Sequence, residues 1–208
     1  MYALITDGSI SKFINHPKAM VIGDTQYPAK IFQLWSTSEL NAIGIYEVVF
    51  DDSNKKDEQW YINTNQSYAY DADAGTVTAT YGSATPKAHA DTTWSQDDED
   101  AGLLPSDKSV NDIKTRGLKY NLIQTLKSQV AGILNDTDWY ITRNTEKSTA
   151  IPSAISTHRD AVRTKQASME TQITNASDTP ALETLYTYTT DSDGVQSRPL
   201  GELPILES

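Results

Sequence analysis

Val110, Ile113, Gly117, Tyr120, Ile123, Leu126, Val130 and Ile133 recur at intervals of three and four. That spacing lays one stripe along a helix, and it predicts a long helix opening near Ser106-Asp107, with Ser106, Asp107 or Ser109 as its cap. Asp112 falls near the positive end of its dipole. The stripe breaks at Asn135-Asp136-Thr137-Asp138, passes through Trp139-Tyr140-Ile141, and restarts after Pro152, where Ile155, Val162, Met169 and Ile173 follow at seven, seven and four. A narrow stripe of this kind suits packing against one partner helix. The reading is an antiparallel helical hairpin with an aromatic hinge, and Thr179-Pro180 opens a further short helix, since proline loses nothing at a first helical position.

The first part of the chain has a different rhythm. Short runs of Tyr, Val, Ile, Thr and Trp are separated by Gly, Asp and Asn, as in a small sheet with tight turns. Residues 2–5 and 10–14 flank Asp7-Gly8, a dipeptide that accepts the positive φ of a hairpin turn. Ser36 to Gly44 reads as a short helix, capped by Ser36 or Ser38 and ended by Gly44. Residues 45–50, 59–63, 67–70 and 76–81 read as extended, the last alternating at period two. Trp35 and Trp60 are expected to fill this module.

Between the two modules the pattern dissolves. Residues 91 to 107 hold six acids and no base, and such a stretch buries too little apolar area to offset its chain entropy. The predicted class is α+β, in four parts: a β-rich docking module at 1–82, an acidic linker at 83–105, a helical hairpin module at 106–185 and an extended arm at 186–208. Two readings of the arm are open, a docked strap or a disordered end.

Charge narrows the function. Against 28 acidic residues stand 17 basic ones, a formal net charge of -11, which repels nucleic-acid phosphates and anionic headgroups. Neither nucleic acid nor membrane is an expected partner. No cysteine occurs, so disulfides and thiolate chemistry are excluded. The N-terminus has neither the basic region nor the apolar run of a signal peptide, and no segment has the length of a membrane span. Synthesis in a cytoplasm is the expectation.

Candidate chemistry is sparse. His16, His89 and His158 lie in unlike contexts and read as surface residues, with no serine or carboxylate at a recognisable spacing. There is no phosphate loop, zinc-binding His-Glu pair or dinucleotide fingerprint. Asp71-Ala72-Asp73-Ala74-Gly75 and Asp191-Ser192-Asp193-Gly194 brush calcium-loop composition but lack the fifth-position oxygen ligand and the closing glutamate. Catalytic residues, metal ligands and cofactors are therefore all expected to be none, and the chain reads as non-enzymatic. For Trp139 two positions are open: a core anchor between the helices, or an exposed hot spot. Arg143, Arg159 and Arg163 can pair internally with Glu146 and Asp160, or can meet carboxylates on an acidic neighbour.

The run Thr137-Asp138-Trp139-Tyr140-Ile141-Thr142-Arg143-Asn144-Thr145-Glu146, then Ile151-Pro152, then Arg159-Asp160-Ala161-Val162-Arg163, resembles the C-terminal region of tailed-bacteriophage tail-fibre assembly proteins and of related tail and virion proteins. Leu34-Trp35-Ser36, Glu39-Leu40 and Ile43-Gly44-Ile45-Tyr46 resemble the N-terminal halves of marine phage proteins that accompany this motif. A larger β module and a longer arm separate this chain from the assembly family. The resemblance implies a structural component of the virion, in the tail, baseplate or fibre-attachment region, that docks on other tail or fibre proteins or on further copies of itself. An assembly chaperone absent from the mature particle is the alternative. Trp139, Tyr140, Arg143, Arg159 and Arg163 are then the partner-binding candidates.

Overall fold

A computed structural model describes residues 1–206. They form two compact units, residues 1–85 and residues 86 onward, of mixed α and β structure.

In the first unit β1 (Tyr2–Thr6) and β2 (Ser9–Ile14) form the opening hairpin. Asp7 and Gly8 both have positive φ, 52° and 74°, which matches the twist of the flanking strands. A second small hairpin, β3 (Met20–Ile22) and β4 (Thr25–Tyr27), leads into α1 (Ile31–Leu34) and α2 (Thr37–Ala42). Ser36 caps α2 in a capping box: its hydroxyl accepts from Glu39 N–H, and Glu39 Oε2 accepts from Ser36 N–H at 2.7 Å. Gly44 follows the helix at φ 81°, where a Cβ would stand 2.8 Å from the Ile5 carbonyl oxygen. The serine and glycine signals thus end α2 where the sequence places them.

β5 (Ile45–Asp51), β6 (Tyr61–Ile62), β7 (Gln66–Asp71) and β8 (Thr76–Tyr81) follow. The main sheet has the order β2-β1-β5-β8-β7, antiparallel except for the parallel β5–β8 pair. Two core clusters lie on the sheet. Ile14, Met20, Ile31, Leu40 and Ile45 form the core under the two helices, and Ala3, Val48, Val77 and Ala79 form the other. The sheet's outer strands β2 and β7 meet through Phe13 and Tyr68, ring centroids 4.5 Å apart. Trp60 is buried and Trp35 is half-buried, edge-on to Tyr27, so both tryptophans serve this unit.

The acidic stretch is more ordered than its composition implies. β9 (Thr85–Pro86), β10 (Thr92–Thr93), α3 (Gln96–Asp100) and β11 (Ile113–Thr115) occupy it and the start of the expected long helix. β10 pairs with β11, Trp94 N–H donates to the Asp112 carbonyl, and Asn111 N–H donates to the Trp94 carbonyl. Lys114 lies 4.5 Å from the Trp94 ring and 2.7 Å from Asp98. Local side chains replace apolar area as the source of order. The linker expectation is corrected accordingly, and so is the helix start: Val110 and Ile113 precede the helix, whose first residue is Leu118.

Asp91 and Asp98 are held below the ordinary carboxylate range, Asp91 by the Gly117 N–H and Arg116, Asp98 by Lys114 and the Ser95 N–H. A folded value below the unfolded one adds stability that is present above about pH 4 and fades as pH falls through the folded value. Hydrogen exchange should find the Trp94 and Asn111 amides protected at neutral pH and progressively exposed on acidification below about pH 4. Fast exchange at neutral pH would restore the linker reading.

Four helices build the rest: α4 (Leu118–Asn135), α5 (Asp138–Lys147), α6 (Ser153–Asn175) and α7 (Thr179–Tyr186). α4 and α6 pack antiparallel. Ile155, Val162, Met169 and Ile173 are buried on α6, as their spacing predicts, and Leu126 and Val130 are buried on α4. Each end of the pair is tied by a cation of one helix to a C-terminal carbonyl of the other: Arg159 donates to Leu134 O at 2.7 Å and Lys119 to Thr174 O at 2.8 Å. Positive charge is favoured there by the helix dipoles. The first N–H groups of α4 are met by residues 88–91: Gly117 donates to Asp91 Oδ1, Leu118 to Ala88 O and Lys119 to His89 O.

The arm is a docked strap over its described part. β12 (Thr189–Thr190) and β13 (Gln196–Ser197) form a hairpin, after which Leu200 is buried and its carbonyl accepts from Lys165 at 2.9 Å. Arg198 stacks over Tyr186 and Tyr188 and pairs with Glu202 at 2.8 Å.

Candidate functional site

The segment read as an aromatic hinge is itself a helix. Asp138 opens α5, and Ser148 closes it in the left-handed conformation at φ 52°. No residue of α5 is buried. Trp139 is 51% exposed and Ile141 39%, which corrects the core-anchor reading of Trp139 and leaves the exposed one. The ring has no place between α4 and α6 because α5 stands where a simple loop was expected, and its first turn projects Trp139 outward.

Arg143 lies one turn below Trp139, its guanidinium carbon 4.6 Å from the Trp139 ring centroid and 5.4 Å from that of Tyr140. The two rings lie 3.8 Å apart. Trp139, Tyr140 and Arg143 therefore form one stacked platform, in which the positive plane is held against negative ring faces. Arg143 makes no ion pair among the described residues, and its Nε is enclosed with no hydrogen-bond partner among them. The expected pairing with Glu146 is absent from the ion pairs of the described residues.

Arg159 belongs to a different category. It is buried, and its guanidinium donates to Leu134 O, to Thr137 Oγ1 at 2.6 Å and to Asp138 Oδ1 at 2.8 Å. All three acceptors lie at the α4–α5 junction, so Arg159 fixes that junction and is closed to a partner protein. Arg163 is exposed and pairs with Asp160 at 3.4 Å; such surface pairs contribute little to stability. Of the five candidates, then, the structure gathers Trp139, Tyr140 and Arg143 into one surface, places Arg159 beneath it as a support, and leaves Arg163 on the outer side of α6.

His16 is exposed and His89 half-buried. His158 is buried, against the surface expectation. A cavity of about 320 Å³ there is lined by Ile133, Asp136, Thr137, His158, Pro204, Ile205 and Leu206, mostly apolar groups. Sequence reading missed Lys119 and Lys165, whose ammonium groups cap carbonyls of distant segments. Nothing in local spacing marks such a residue; only the fold brings the carbonyl to it.

No helix among the described residues is long and apolar enough to cross a membrane. No family model matches the chain, and neither does any curated protein or solved structure.

Proposed function

We propose that this chain is a non-enzymatic structural component of a tailed-bacteriophage virion, in the tail, baseplate or fibre-attachment region, and that it acts by docking on neighbouring proteins. The observation that carries the reading is the platform on α5: an exposed tryptophan stacked with a tyrosine and an arginine without an ion pair among the described residues, on a helix with no fully buried residue. Tryptophan, tyrosine and arginine are the residues that dominate protein–protein hot spots. The likeness of residues 137–163 to tail-fibre assembly and virion proteins supplies the particle.

The mode of binding differs from the one that composition implies. An acidic linker and a free arm would lose entropy when ordered by a partner. Here the acidic stretch is folded on Trp94 and Lys114 and the strap lies on its own helices, so the docking surface is formed in advance and less ordering opposes binding.

Trp139→Ala and Arg143→Ala should each reduce incorporation into particles by tenfold or more, on the order of 1.5–3 kcal/mol of lost docking, with the melting temperature nearly unchanged. Quantitative immunoblotting of particles from cells making the variant, beside thermal melts of the purified protein, reads both. Normal incorporation of both variants would remove α5 from the docking surface.

A further inference from the structure

We propose that a second copy of this chain occupies the Trp139-Tyr140-Arg143 platform, presenting the exposed carboxylates of its α3, so that copies join head to tail. This rests on the reading of α5 as a docking surface and names its occupant.

The platform has a charge without a counterion. Rings cover the guanidinium of Arg143, and its Nε is enclosed, so what remains for a partner is the edge formed by the terminal nitrogens. Planar guanidinium edges recognise carboxylates by paired hydrogen bonds. The same chain carries the complementary group. Residues 97–100 are four acids in succession; Asp98 is engaged by Ser95 and Lys114, whereas Asp97, Glu99 and Asp100 are exposed and make no ion pair among the described residues. Gln96 Nε2 bonds Glu99 Oε2 at 2.7 Å and Asp100 Oδ1 at 3.0 Å, which holds those two carboxylates side by side. Leu103, just beyond α3, is 62% exposed and supplies an apolar neighbour for Trp139 and Ile141. An anchor ring, a charge pair and an apolar flank are the parts of a small interface.

Both surfaces lie within residues 86–208 and neither satisfies the other there, so the contact is between copies. It uses different patches on the two partners. Such a contact is heterologous: it closes into a ring or runs on as a filament, and each copy keeps one platform and one α3 for the next.

Sedimentation velocity of the full chain over a concentration series tests this. The wild type is expected to associate with rising concentration. Arg143→Glu alone and the Glu99→Lys/Asp100→Lys pair alone are expected to remain monomeric, each facing like charge. An equimolar mixture of the two variants is expected to associate again, because every contact in it then joins opposite charges, and that recovery also shows both variants folded. A wild type that stays monomeric throughout, association that survives Arg143→Glu, or a mixture that stays monomeric while both variants show native circular dichroism would each overturn the proposal. If the wild type is monomeric while Trp139→Ala still loses particle incorporation, the docking surface stands and the second copy is excluded as its occupant.

Discussion

Arg159→Ala is expected to destabilise the unit that begins at residue 86 by about 2–4 kcal/mol, because it removes charge-assisted hydrogen bonds made in a buried setting and empties the space that the side chain fills. Arg159 is one of the most enclosed charged groups in the chain, and its guanidinium serves Leu134 O, Thr137 Oγ1 and Asp138 Oδ1 together. Losing it frees the last turn of α4 and the start of α5. Asp138 is about half exposed, so water takes over that partner and keeps the loss below that of a fully buried pair. Arg159→Lys should recover little, since a single ammonium cannot span three acceptors in a planar fan. Arg163→Ala, by contrast, removes only an exposed pair and should stay within about 0.5 kcal/mol of the wild type. Denaturant melts of the three variants separate these outcomes. Equal effects at 159 and 163 would mean that the α4–α5 junction is not held as described. Because the platform begins at Asp138, Arg159→Ala should also reduce docking, but with a loss of stability that Trp139→Ala does not show.

Gly117→Ala is expected to cost about 3 kcal/mol for a reason of space alone. The backbone there is ordinary, with φ -83°, so no left-handed strain is at issue. A Cβ at 117 would overlap the carbonyl group of Ala90. Either the first turn of α4 or residues 88–91 must then move, and the bonds from Gly117, Leu118 and Lys119 to Asp91, Ala88 and His89 go with them. Gly132→Ala is the internal control. It lies inside α4, a Cβ there meets nothing within 4 Å, and the change should stabilise by about 0.5–1 kcal/mol through helix propensity. Opposite signs for the two substitutions are the result to look for by chemical denaturation; destabilisation at both would point to a general intolerance of α4 rather than to contact with Ala90.

The elements that were legible in the sequence are those fixed by neighbours within a few residues. Asp7-Gly8, Ser36, Gly44 and Thr179-Pro180 each set a turn or a helix end through their own backbone chemistry, and each is found in that role. The stripe of α6 was legible because its four apolar residues keep helical spacing and all four are buried. What was illegible depends on distant groups. Val110 and Ile113 continue the period of α4, yet Gly117 lets the chain turn tightly against Ala90 and start the helix only at Leu118. The acidic stretch folds through polar contacts that no hydropathy pattern records. In the candidate site, the residue types were visible but their division was not: Arg143 and Arg159 have equivalent standing in the sequence, and only the position of the α4–α5 junction makes one a surface group and the other a buried support.

Quantitative mass spectrometry of purified phage particles tests the structural role most directly. The account requires this chain at a fixed number of copies per particle, retained through stringent washing. A chain abundant in the infected-cell lysate yet missing from the purified particle would contradict it, and would assign the α5 platform to an assembly chaperone that leaves before the virion is complete.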